Sequence, residues 1–177
     1  MFHINDAVIY GGEGVCVISD IAEKEFAGKN AVYYILKPVY KETATVFVPI
    51  ENEKLLAKMR PVLSKEEILE IIRSMPQEKT GWIEDEGERK LQYKAVLSGG
   101  SRRELICLIR TLYQRRQEQL AQKRKPHAAD EFFLKEAEHI LHDEFAYVLG
   151  LSQDQVLPFI LKELGEGGSR EPEGKTE

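Results

Sequence analysis

The alternation of apolar and polar positions changes rhythm once along the chain. Up to Ile50 the apolar residues come in short β-branched runs: AVIY and VCVI flank Gly11, Gly12 and Gly14, and further runs follow at 18–26, 31–37 (AVYYILK) and 44–50 (ATVFVPI). Glycines between two such runs are turn punctuation, so 7–18 predicts a hairpin. Ala27-Gly28-Lys29-Asn30 and Lys41-Glu42 separate the later runs. Strands this short and closely spaced predict a small antiparallel β-barrel of about 55 residues, an architecture that buries little and commonly serves as a binding module.

After Glu51 the period lengthens from 2 to 3.6, which marks a domain boundary near residue 58 and predicts helices beyond it. Ser64 with Glu67 has capping-box spacing, and Ile68, Ile71, Ile72 and Met75 follow on one face until Pro76, which predicts a helix over 65–74. A second helix is expected around 83–97, ending at Ser98-Gly99-Gly100. Ser101 with Glu104 then opens a long one to about 122. Asp130 is a candidate cap for a helix running to Gly150, and Ser152 with Gln155 for a last one in which Pro158 delays or kinks the start. The sequence GEGGSREPEGKTE from Gly165 onward is polar and free of aromatics, so it predicts a disordered tail. The expected fold is therefore α+β with two domains, a β-barrel over 1–58 and an all-α domain over 59–164, followed by the tail at 165–177.

Composition changes this picture in one respect. The net charge of −5 argues against a nucleic-acid partner, but it averages over three unlike segments: −6 for 1–88, −8 for 126–177, and +9 for 89–125, where 11 basic side chains meet 2 acidic ones. On a helical wheel of 101–121, Leu105, Ile109, Leu112, Tyr113 and Leu120 form the expected buried arc, with Arg103, Arg110, Gln114 and Gln117 turned away from it. A basic stripe of this kind suits the phosphate backbone of nucleic acid. It equally suits a solvated face whose charges meet acidic residues of 126–164. Trp82, the only tryptophan, lies in the polar stretch KTGWIEDEGERK. An aromatic beside a basic helix can stack on bases or wedge between them. A lone tryptophan can also anchor a core, and Glu84, Asp85, Glu86 and Glu88 would repel phosphate.

Other chemistries find little support. Cys16 and Cys107 are too far apart in sequence for a metal knuckle and too few for a disulfide framework. His139 and His142, with Glu138 and Asp143, could be imagined as a metal site on one helix, but no third strong ligand or nucleophile motif accompanies them. No enzyme activity, cofactor, metal or small-molecule substrate is expected. No apolar run reaches the roughly 20 residues that cross a bilayer, and the opening residues lack the features of a signal peptide, so a cytoplasmic protein is expected.

The opening MFHINDAVIYGGEGVCVI, Ala27-Gly28-Lys29 before YYILK, VFVPIEN at 46–52, and Trp82 ahead of Tyr93-Lys94 and the SGG turn stand in an order that resembles the CarD/CdnL family of bacterial transcription regulators. Their N-terminal module is shared with the RNA polymerase-interacting domain of the transcription-repair coupling factor. The resemblance covers about residues 1–150. It implies a Tudor-like (SH3-like) barrel that grips the RNA polymerase β subunit, and a helical domain on promoter DNA at the upstream edge of the bubble, where it tunes open-complex stability. It gives Trp82 the role of a minor-groove wedge, with Arg89, Lys90 and Lys94 on the backbone; the stripe adds Arg103 and Arg110. The DNA contact would be weak and not sequence-specific, and polymerase would bring the protein to the nucleoid.

Two departures stand out. A basic residue that family members can use on the last barrel strand is matched by Phe47, which shifts the implied polymerase contact toward Lys24 and main-chain pairing along Phe47, Val48 and Pro49. A few extra acidic residues also separate Trp82 from the basic helix. The alternatives are a protein-interaction adaptor that never touches DNA and, on the His139 and His142 helix, a metal-dependent hydrolase.

Overall fold

The computed structural model describes residues 1–41, 44–78 and 80–167. Five strands form one antiparallel sheet: β1 (Ala7–Tyr10), β2 (Val15–Phe26), β3 (Lys29–Pro38), β4 (Val46–Pro49) and β5 (Met59–Pro61). The ladder runs β4-β3-β2-β1-β5. The expected closure into a barrel is therefore not made by main-chain pairing: β4 and β5 stand at opposite edges of an open sheet. β5, which pairs with β1 through Val8↔Pro61 and Tyr10↔Met59, lies beyond the boundary expected at residue 58.

The predicted hairpin over 7–18 forms, with Gly11–Glu13 as a 3₁₀ turn, and Gly11 and Gly14 take the positive φ that glycine supplies without strain. The two runs expected at 15–26 are one long strand. Between Ile18 and Asp20 the register with β3 shifts, so Ser19 is an extra residue whose hydroxyl donates to the Ile35 carbonyl. That bulge reverses the in/out alternation, and Ile18 and Ile21 consequently reach the same core as Tyr34, Leu36 and Val48. β2 and β3 are joined by Ala27-Gly28, both at positive φ, as a tight two-residue hairpin loop requires.

Helices follow as the periodicity predicts. A single turn, α1 (Glu53–Leu56), precedes β5; then come α2 (Lys65–Ser74), α3 (Glu86–Gly99), α4 (Arg102–Ala121), α5 (Ala128–Leu149) and α6 (Gln153–Gly167). Full capping boxes close the starts of α2, at Ser64 and Glu67, and α4, at Ser101 and Glu104. The α5 cap is His127, without a side-chain bond, and Asp130 sits inside the first turn rather than capping it. Gly150 ends α5 in the left-handed conformation, as expected. Pro158 lies inside α6 without delaying its start. The helix runs through Gly167, past the expected end at Gly165, and the rest of the predicted tail lies outside the described residues.

Sheet and helices bury separate cores: Val8, Cys16, Ile18, Tyr34, Leu36, Val48 and Met59 in the first, and a larger set centred on Ile68, Ile72, Leu112, Leu141 and Phe145 in the second. Polar groups join them. Glu144, 2% exposed, accepts the Leu63 amide at 2.9 Å and pairs with Arg102 at 2.7 Å, while Arg102 also donates to the Pro61 carbonyl. Arg60 of β5 donates to the Gly100 carbonyl at 2.7 Å, and the Gly11 turn packs so closely on the end of α3 that a Cβ there would lie 3.0 Å from the Ser98 carbonyl oxygen.

Candidate interaction surfaces

The first candidate surface follows from the bulge. Beyond Ser19 the register places Lys24, Phe26, Tyr33, Phe47 and Pro49 on the face of the sheet turned away from its core, because paired residues share a face and Tyr33↔Pro49, Ala22↔Tyr33 and Lys24↔Ala31 are paired. Coiling of the β2–β3 hairpin brings three rings together: Phe26 lies 5.2 Å from Tyr33 and from Phe47, and Tyr33 lies 6.3 Å from Phe47, all edge-on. Phe26 and Phe47 nonetheless remain 45% and 37% exposed. Among the described residues, no strand lies beside the other edge of β4. Of the polymerase-contact residues expected from the sequence, Lys24, Phe47 and Pro49 share this outer face. Val48 is buried throughout, main chain included, and faces the core opposite Tyr34.

The second surface lies at the end of the helical region where α3 and α5 begin and α4 finishes. Residues 80–85 cross it without regular secondary structure, tied to α4 by the Gly81 amide on Thr111 Oγ1 at 3.0 Å and by Thr80 Oγ1 on Gln114 at 3.1 Å. Trp82 is half-buried against the helical core, and the guanidiniums of Arg89 and Arg115 lie over its indole, 4.3 Å and 4.6 Å from the centroid. The Trp82 π surface is thus already covered by the protein's own cations. Arg89 is 7% exposed: it donates to the Ile83 carbonyl at 2.9 Å and stands 3.5 Å from Asp130. Expected on a solvent-facing basic surface, it is instead an interior strut beneath the Trp82 segment. The buried side-chain polar atoms without a hydrogen-bond partner among the described residues are Arg89 Nε, Arg115 Nε and Tyr93 Oη, so two of the three belong to the cations stacked on the indole. Burial, with the Asp130 charge adding to it, pushes the Tyr93 phenol above its ordinary pKa.

The expected stripe on α4 is present in outline and largely neutralised. Arg103 is exposed but held by Glu78 at 3.0 Å, and Arg110, half-buried, donates to the Met75 carbonyl. Lys90 pairs with Glu86 at 2.8 Å, and Arg116 with Glu131 at 3.4 Å. Lys94 is exposed and has no ion pair among the described residues. The buried arc also differs from the wheel: Leu105, Ile106, Leu108 and Leu112 are buried, whereas Tyr113 and Leu120 are half-exposed, with Arg116 stacked on Tyr113.

His139 pairs loosely with Asp143 at 3.7 Å, and burial lowers the His142 pKa. Among the described residues, three potential metal ligands are nowhere grouped closely enough to hold an ion. The Cys16 thiol is pushed up to about 12, first by burial and then by Glu13, which makes it a core side chain and not a nucleophile. No helix among the described residues is long and apolar enough to cross a membrane.

Sequence comparison bears on the first of these surfaces. Residues 2–63 match the family model of the CarD-like/TRCF RID domain. The match spans the whole sheet, from the residues before β1 to those just after β5, and stops where α2 begins. That family is one of interaction domains associated with transcription and RNA polymerase, not a catalytic one. No curated protein matches the chain. Sequence reasoning found Phe47 through its departure from the family's basic residue, but missed Phe26 and Tyr33, whose grouping depends on the bulge and the hairpin coil. It also missed Arg115 as a partner of Trp82.

Proposed function

We propose that this protein is a transcription regulator that binds the β subunit of RNA polymerase through the outer face and free edge of β4, and touches promoter DNA at the upstream edge of the bubble with the Trp82 end of its helical region. The observation that carries the reading is an aromatic cluster, Phe26, Tyr33 and Phe47, exposed beside an unpaired strand edge within the segment that matches the polymerase-interacting family. An edge strand offers main-chain hydrogen bonds to an added strand, and exposed rings beside it supply the apolar anchor that makes such pairing selective. Phe47 would give this contact an apolar rather than ionic character, with Lys24 and Pro49 at its margin. Tethering on polymerase lets a weak DNA contact suffice, because it raises the effective concentration of the second surface. That logic suits an acidic protein with no sequence-reading element, and it requires neither catalysis nor a cofactor.

Two measurements test it. Phe47→Ala lowers affinity for bacterial RNA polymerase about tenfold, as loss of a central aromatic anchor should. Unchanged affinity would move the contact elsewhere. Open-complex lifetime on a promoter changes when the intact protein is added and returns toward baseline with Trp82→Ala. One observation favours the adaptor alternative: Arg89, Arg102, Arg103 and Arg116 spend their charge on Asp130, Glu144, Glu78 and Glu131. On that reading the lifetime never changes while polymerase binding persists.

A further inference from the structure

Many cations of the helical region are already paired. On the helices, Arg89, Lys90, Arg102, Arg103, Arg115 and Arg116 each stand within ion-pair distance of a carboxylate. In the connector between α4 and α5, Lys123, Arg124 and Lys125 are all exposed, are consecutive, and have no carboxylate partner among the described residues. Their main chain is nevertheless fixed: Lys123 takes a positive φ of 56°, its amide donates to Leu120 at 3.0 Å, and the Arg124 amide donates to Gln119 at 2.8 Å. Within the +9 segment, the exposed cations without a carboxylate partner among the described residues are Lys94 on α3 and these three, and the tip is where three of them stand together.

The tip also lies toward the same end of the helical region as Trp82. Arg115, which lies over the indole, stands on the same helix about two turns before the connector, and Arg89, on the indole as well, reaches Asp130 in the first turn after it. His127, at the end of the connector, lies close enough to Glu86 at the start of α3 to lower that carboxyl's pKa, after the larger effect of Lys90.

We propose that the α4–α5 connector, through Lys123, Arg124 and Lys125, holds the phosphate backbone of DNA brought against Trp82. This rests on the reading that the helical end touches DNA, and it moves the backbone contact from the helix stripe to the connector. Three unpaired cations in a row suit a polyanion: each phosphate met releases condensed counterions, whereas Arg103 or Arg116 would first have to break its own ion pair. Contact of this kind is independent of base sequence, and the tryptophan beside it supplies the stacking surface.

The test compares binding of the full-length protein to a fluorescein-labelled DNA duplex with a short unpaired fork, from 30 to 200 mM salt. Replacing Lys123, Arg124 and Lys125 together with Ser lowers affinity more than about tenfold at 50 mM salt and flattens the log–log salt dependence by about 2 to 3, the number of phosphate contacts removed. Arg103→Ser changes that slope by less than about 1. Trp82→Ala weakens binding while leaving the slope as it was. Polymerase affinity of the triple variant stays at the unsubstituted level, which separates loss of contact from loss of fold. If the unsubstituted protein binds the fork and the triple variant binds with the same affinity and slope, the connector assignment is overturned and the DNA reading survives. If the unsubstituted protein leaves the fork unbound both free and on polymerase, the DNA reading falls and takes the connector with it.

Discussion

The sheet and the helical region solve opposite problems with their surfaces. The sheet leaves bonding capacity exposed: a strand edge with no strand beside it among the described residues, and two rings, Phe26 and Phe47, that remain partly exposed. The helical region consumes its capacity internally, pairing six of its cations with carboxylates and covering its only tryptophan with two guanidiniums. The contrast teaches that formal charge along a sequence is a poor guide to surface potential. Opposite charges far apart in the chain can meet in the fold, and what remains for a partner is the unpaired remainder.

The largest test of this contrast concerns the polar junction between the two regions. Arg102→Met leaves Glu144 buried without its counter-charge, and equilibrium unfolding in guanidinium is expected to show a loss of about 3–5 kcal/mol. Arg102→Met combined with Glu144→Leu should recover much of that loss, because no unpaired charge then remains in the interior. A single-variant cost below about 1 kcal/mol would mean that sheet and helices are joined by their apolar contacts alone.

An intermediate effect is expected at the α4 cap. Ser101→Ala removes the acceptor for the Glu104 amide and should cost about 1 kcal/mol in the same measurement, with polymerase affinity untouched. If polymerase affinity also fell, the division of labour between the two regions would be wrong.

The smallest effect is a pH dependence on the helical side. Burial lowers the His142 pKa from its ordinary 6.5, partly opposed by Asp143 and assisted by His139. The folded protein disfavours the charged imidazole, so stability from this group is complete above about pH 6.5 and is lost as pH falls through the lowered folded value. Urea midpoints measured from pH 7.5 down to 5.5 should decline, and His142→Gln should flatten the decline. An equal slope in both proteins would remove His142 as its cause.

Much of the fold was legible because its signals are local. Ser64 with Glu67 and Ser101 with Glu104 close their capping boxes within four residues, and Gly150 needs only its own φ to end α5. β5 was missed for the converse reason. Met59–Pro61 is three residues long and becomes a strand only by pairing with β1 about fifty residues earlier. The same holds for the surfaces. Lys24, Phe47 and Pro49 share a face because Ser19 is inserted into a ladder that no short window contains. Arg89 and Asp130, or Arg102 and Glu144, which are 42 residues apart, could not be paired from spacing. Trp82 stands out in the sequence as the lone tryptophan, but its stacking cations come from two different helices, and only the packing of α3 against α4 brings them together.

The junction at Glu144 has a mechanical meaning as well. One carboxylate near the end of α5 fastens the segment after β5 to the start of α4, which ties the sheet with the exposed strand edge to the helical region that carries Trp82. A joint of this kind would act as a caliper with fixed jaws. Whatever seats on one jaw sets the position of the other, and two partners can be engaged together only when their own spacing matches the gap.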